Sequence, residues 1–85
     1  MAFVFSLHAL EQIEIRGLIL AVVEDVLNFP SKIVKEENGV SVYQKLVIES
    51  NKEYLYRVFV NSDKKPPMVI TVYKTSKTDK YEDQI

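Results

Sequence analysis

Lys32-Ile33-Val34-Lys35-Glu36-Glu37-Asn38-Gly39-Val40-Ser41-Val42-Tyr43 decides the fold of this chain. Asparagine followed by glycine supplies two consecutive residues that tolerate positive φ, which the tight turns between antiparallel strands require. Asn38-Gly39 therefore predicts a hairpin, with one strand from Lys32 to Glu36 and its partner from Val40 to Ile48, where side chains follow a period of two. Ser50-Asn51-Lys52 offers a second turn into a strand from Glu53 to Val60. The loop Asn61 to Pro67 then precedes a last strand from Met68 to about Lys74.

Upstream the pattern is helical. Ser6 is placed to cap a first helix whose apolar stripe would be Leu7, Leu10 and Ile13, and Gly17 would end it in the left-handed conformation. Ala21 to Asn28 carries the pairs Val22/Val23 and Val26/Leu27 at helical spacing, and Pro30 stops it. The expected fold class is α+β, with two N-terminal helices packed on one face of a four-stranded antiparallel sheet. No repeat or Gly/Pro/Ser linker divides the chain, so residues 1–85 are read as a single domain.

Composition narrows the function. Apolar residues make up 47% and charged residues 27% of the chain, the balance of a folded domain rather than a disordered one. With no cysteine there is no disulfide, cysteine zinc site or thiol nucleophile, and one histidine argues against a metal cage. No metal and no cofactor are expected. Met1 to Ser6 has no basic region of the kind that opens a secretory signal, and Leu18 to Val23 is too short to span a bilayer. A cytoplasmic location and no membrane partner follow as expectations. Residues 1–51 carry seven acids against four bases, whereas 52–85 carry five acids against seven bases. A local basic surface can steer an anion even though the net charge is -1.

That basic half contains the candidate site. In Glu53 to Val60, alternation puts Tyr54, Tyr56, Val58 and Val60 on one face and Leu55, Arg57 and Phe59 on the other. A mid-strand arginine between apolar neighbours requires a partner: a ligand phosphate, which its planar fork suits, or a carboxylate such as Glu49. Val69 to Val72 runs directly into Tyr73, Lys74, Lys77 and Tyr81, phenols and cations suited to phosphates and bases. His8, Gln12 and Arg16 recur at i, i+4, i+8 along one side of the first helix, and His8 can exchange a proton near neutral pH. The competing reading is structural throughout: a locally bonded histidine, an Arg16 that complements the helix dipole, and a solvated tail.

Ser6-Leu7-His8-Ala9, Glu14-Ile15-Arg16-Gly17-Leu18, Asn28-Phe29-Pro30, Tyr56-Arg57-Val58 and Val69-Ile70-Thr71-Val72-Tyr73 with Lys77 and Tyr81 together resemble a widespread prokaryotic domain of unknown function. That domain is grouped with the RelE/ParE-like toxins of the barnase/EndoU/colicin/RelE fold. Its members often carry an arginine where this chain has Gln12. The resemblance implies metal-independent RNA cleavage by a toxin-type endoribonuclease, with RNA as substrate and a cognate antitoxin protein as partner. It implies Arg57 as the phosphate-binding arginine, Tyr81 as the C-terminal tyrosine, Lys74 and Lys77 near the basic residues of the last strand and tail, and His8 as a candidate that the subfamily adds. His8 and Tyr81 are the candidates for proton transfer, and Arg16 and Tyr73 join Lys74 and Lys77 as candidate contacts to the RNA phosphates. The rival expectation is a non-catalytic protein-interaction module of the same fold.

Overall fold

In the computed structural model, which describes residues 2–84, five strands and two helices precede a 3₁₀ segment. In chain order they are β1 (Val4–Phe5), α1 (Leu7–Ile15), α2 (Leu20–Asn28), β2 (Lys32–Lys35), β3 (Val40–Glu49), β4 (Lys52–Asn61), β5 (Met68–Thr75) and the 3₁₀ segment Thr78–Gln84. The sheet order is β1-β5-β4-β3-β2. β2 to β5 form the expected antiparallel meander, but β1 adds a fifth strand parallel to β5 and makes the sheet mixed. Two residues show no period. Only their bonds identify them: Val4 N–H donates to Pro67 O at 3.0 Å and Ser6 N–H to Val69 O at 2.9 Å.

The turns form for the reasons their residues supply. Asn38 (φ 61) and Gly39 (φ 75) are both left-handed, as are Ser50 (φ 51) and Asn51 (φ 64) in the β3–β4 turn. The latter is a two-residue loop that pairs Glu49 with Lys52 and so fixes every cross-strand partner along β3 and β4. On β5, Phe59 faces Thr71 while Val60 faces Val69, so Ile70 is an extra, bulged residue. The bulge turns both Val69 and Val72 to the core, where each is fully buried.

α1 begins at Ser6, whose Oγ accepts from Ala9 N–H at 3.0 Å. It ends with Leu18 N–H on Ile13 O at 2.8 Å and Gly17 N–H on Glu14 O at 3.1 Å, Gly17 standing at φ 65. Its buried face differs from the expected stripe. Ala9 and Ile13 enter the core, whereas Leu7 is 73% and Leu10 44% exposed. The reason lies at the sheet edge. Beyond the short β1, Gln12 Oε1 accepts Val72 N–H at 3.0 Å, and that bond draws the Ala9–Gln12–Ile13 side of α1 inward. Val23, Val26 and Leu27 of α2 complete the layer over Tyr56, Val58, Val60, Val69 and Val72. The helices thus occupy one face of the sheet. Leu55, Arg57 and Phe59 project from the other.

Candidate functional site

On the face opposite the helices, strand register brings four polar side chains into one transverse row. Lys32 of β2 is opposite Gln44 of β3, Gln44 opposite Arg57 of β4, and Arg57 opposite Tyr73 of β5. Apolar and hydroxyl side chains border the row: Val34, Val42, Phe59 and Thr71 on one side, Leu46, Leu55 and Thr75 on the other. At its centre Arg57 is only 7% and Gln44 only 1% exposed.

The guanidinium is held by several elements at once. Arg57 Nε donates to Gln44 Oε1 at 3.1 Å, and Nη1 donates to the Tyr73 hydroxyl at 2.8 Å. The Tyr81 ring, carried by the 3₁₀ segment, lies over the guanidinium with its centroid 4.6 Å from Cζ, and the Phe59 ring lies 5.4 Å away. Phe59 and Tyr73 stack at 6.0 Å. The Tyr73 and Tyr81 hydroxyl oxygens are 3.3 Å apart. A guanidinium can only donate, so the Tyr73 oxygen accepts from Arg57, and the two phenols share a hydrogen bond in which either can donate.

The two phenols are driven apart. The hydrogen bond shared with Tyr73, together with the positive charges of Arg57 and Lys80 and a hydrogen bond to Arg57, lowers the pKa of Tyr81 below the ordinary tyrosine value. Burial, with the bond to Tyr81, raises that of Tyr73 against the opposing pull of Arg57.

The structure brings Arg57, Tyr73 and Tyr81 together, and leaves the other four sequence-derived residues outside the cluster. Lys74 points to the opposite face of β5, where its Nζ meets Glu49 Oε1 at 2.6 Å beside the Tyr54 ring at 4.4 Å. Lys77 is exposed in the link between β5 and the 3₁₀ segment. His8 and Arg16 are exposed on α1, in the helical layer, and no described side-chain bond ties either to Arg57. Glu49 is likewise on the helical face, bonded to Tyr56 and Lys74, so it is not the carboxylate that Arg57 meets. Gln44 is the residue sequence reasoning missed. Its signal was a polar side chain between Val42 and Leu46 on an otherwise apolar face. Among the described residues no group of three or more histidines and carboxylates is placed to hold a metal ion, and no helix is long and apolar enough to cross a membrane.

The Glu49 cluster has its own titration. The hydrogen bonds from Lys74 and Tyr56 hold the Glu49 carboxyl below its ordinary value. Tyr56, buried against that carboxylate at 2.6 Å, is pushed well above the ordinary tyrosine range. A carboxyl depressed on folding contributes stability that is complete above its unfolded pKa of about 4.3 and is lost as pH falls through the folded value. Glu49→Gln is expected to cost about 1 kcal/mol at neutral pH, discounted for partial exposure, and to flatten the acid limb below about pH 4.3. Urea unfolding across a pH series reads both effects. An acid limb identical to that of the wild type would assign the acid sensitivity to other carboxyls.

The chain belongs to the family described as a domain of unknown function (DUF4258), whose model matches residues 5–74. The matched span carries Gln44, Arg57 and Tyr73 and stops before Lys77 and Tyr81. No curated protein and no solved structure matches the chain.

Proposed function

We propose that this member of the DUF4258 family is a RelE-like, toxin-type endoribonuclease that cuts single-stranded RNA without a metal ion, at the Arg57–Tyr73–Tyr81 cluster. The observation that carries the reading is the hydrogen-bonded cluster of a buried guanidinium, Tyr73 and Tyr81, a phenol whose pKa is lowered. Tyr81, as phenolate, takes the proton of a ribose 2′-hydroxyl. The 2′-oxygen then bonds to the adjacent phosphorus as the bond to the 5′-oxygen breaks, and that oxygen leaves with a proton from water. Arg57 stabilises the charge that gathers on the phosphoryl oxygens in the transition state. Phe59, on the same face, offers a ring on which a base can stack, and Lys77 reaches a flanking phosphate. Lys74 and Arg16 bear on more distant phosphates in this reading, and His8, which stands in the helical layer, is given no part in the proton transfer. A cognate antitoxin protein is the partner this reading carries with it, and the cytoplasm the compartment.

Phosphate contacts release counterions, so binding of a labelled single-stranded RNA should weaken linearly on a logarithmic salt scale, by about 0.7 in slope for each phosphate contacted. Lys77→Ala is expected to reduce the slope by about that amount. Fluorescence anisotropy at several salt concentrations reads it. Affinity that does not change with salt would refute RNA as the ligand of this face.

A further inference from the structure

Gln44 is a buried polar residue on a strand face where its neighbours Val42 and Leu46 are apolar, and its Oε1 accepts from Arg57 Nε. A guanidinium is planar and rigid, so fixing the Nε–H direction fixes the directions of both terminal nitrogens. With Nε held at 3.1 Å, Nη1 falls 2.8 Å from the Tyr73 hydroxyl. We propose that Gln44 is a positioning residue of this site: it holds the plane of Arg57 so that the guanidinium meets the Tyr73 hydroxyl and, through the bond the two phenols share, bears on the Tyr81 oxygen. The inference deepens the ribonuclease reading by naming what aligns its proton-transfer group, but the alignment stands whatever ligand the face takes.

Among the described residues, Gln44 and Tyr73 bond the guanidinium from the two flanking strands, Gln44 at Nε and Tyr73 at Nη1. The Tyr81 and Phe59 rings lie 4.6 Å and 5.4 Å from its Cζ. Among the described residues, the charged and titratable groups that act on Tyr81 are Arg57 on β4, Tyr73 on β5 and Lys80 on its own segment. Of these, Arg57 and Tyr73 are linked to it through the hydrogen bonds that Gln44 orients. The direction of the Tyr81 shift, with the bond shared with Tyr73 as its largest cause, agrees with that arrangement.

The test is the titration of Tyr81 in the full-length chain, read by NMR from tyrosine labelled at Cζ, with no RNA present. The resonance is assigned by its loss in Tyr81→Phe. Gln44→Leu, which keeps the shape and removes the acceptor, is expected to move the Tyr81 midpoint upward, toward the ordinary value of about 10. Gln44→Met serves the same purpose if the leucine variant does not fold. Tyr73→Phe, which removes the hydroxyl between Arg57 and Tyr81, should move it in the same direction. A residue that only fills space would lower stability without moving the midpoint of the folded protein. An unchanged Tyr81 midpoint in a folded Gln44→Leu or Gln44→Met protein, or in Tyr73→Phe, overturns the inference. Because RNA is absent, a shifted midpoint in a protein that cuts no RNA would refute the ribonuclease reading while leaving Gln44 in its role.

Discussion

Arg57→Ala should lower the rate of RNA cleavage by roughly two to three orders of magnitude, the usual effect of removing a group aimed at charge that develops in the transition state. Three effects combine in the loss. On the proposed reading the cation that would face the phosphoryl oxygens disappears, Tyr73 loses the donor that polarises its hydroxyl, and Tyr81 loses the positive charge beneath its ring. Stability should fall as well. Gln44 Oε1 would lose the Arg57 donor at a position only 1% exposed, and a buried hydrogen bond to a charged group removed from one side costs about 1–3 kcal/mol. Arg57→Lys separates the effects, because it keeps the charge but cannot bond Gln44 and Tyr73 in one plane. It is expected to retain more stability than alanine and little more activity. Cleavage rates measured beside thermal unfolding check both, and an Arg57→Ala protein that is folded and fully active would remove the residue from the chemistry.

The second large effect concerns folding. Gly39→Ala is expected to destabilise the domain by about 1–3 kcal/mol. The backbone there stands at φ 75, a region costly for any residue with a Cβ, and the place a Cβ would occupy is filled by the Asp63 carboxylate. Gly39 O also accepts Ser62 N–H at 2.8 Å, so the β2–β3 turn is fastened to the loop that leads from β4 into β5. Displacing one displaces the other. Adding Asp63→Ala should recover the part of the loss due to the collision and leave the part due to φ, a non-additivity that a double-mutant cycle with denaturant unfolding measures. Losses that simply add would place the cost in the dihedral angle alone.

These expectations rest on features that were unequally legible in the amino-acid sequence. Turn chemistry was the clearest. Asn38-Gly39, Ser6 and Gly17 act through local backbone requirements that no tertiary contact overrides here. The two-residue loop Ser50-Asn51 even implies the pairing of Gln44 with Arg57, since a register fixed at Glu49–Lys52 propagates along both strands. Alternation likewise puts neighbouring Tyr73 and Lys74 on opposite faces, so grouping Lys74 with Arg57 conflicted with the period of two. Which face each takes could not be read, because the bulge at Ile70 shifts the register of β5 and no local signal marks it. The rotation of α1 was hidden for a related reason. Leu7 and Leu10 look like the core stripe until the unpaired edge of β5 beside Val72 claims Gln12. β1 is defined by its partner, and two residues carry no pattern of their own.

The most direct measurement is cleavage of a single-stranded RNA by the purified protein in the presence of a chelator, free and on translating ribosomes, beside the same RNA with one 2′-deoxy nucleotide at the cleaved position. Attack by the 2′-hydroxyl predicts that the all-ribose strand is cut to a 2′,3′-cyclic phosphate and a 5′-hydroxyl, that the substituted strand stays intact at that position, and that Tyr81→Phe loses the activity. RNA that remains intact in both settings, or a strand cut equally well without its 2′-hydroxyl, would contradict it.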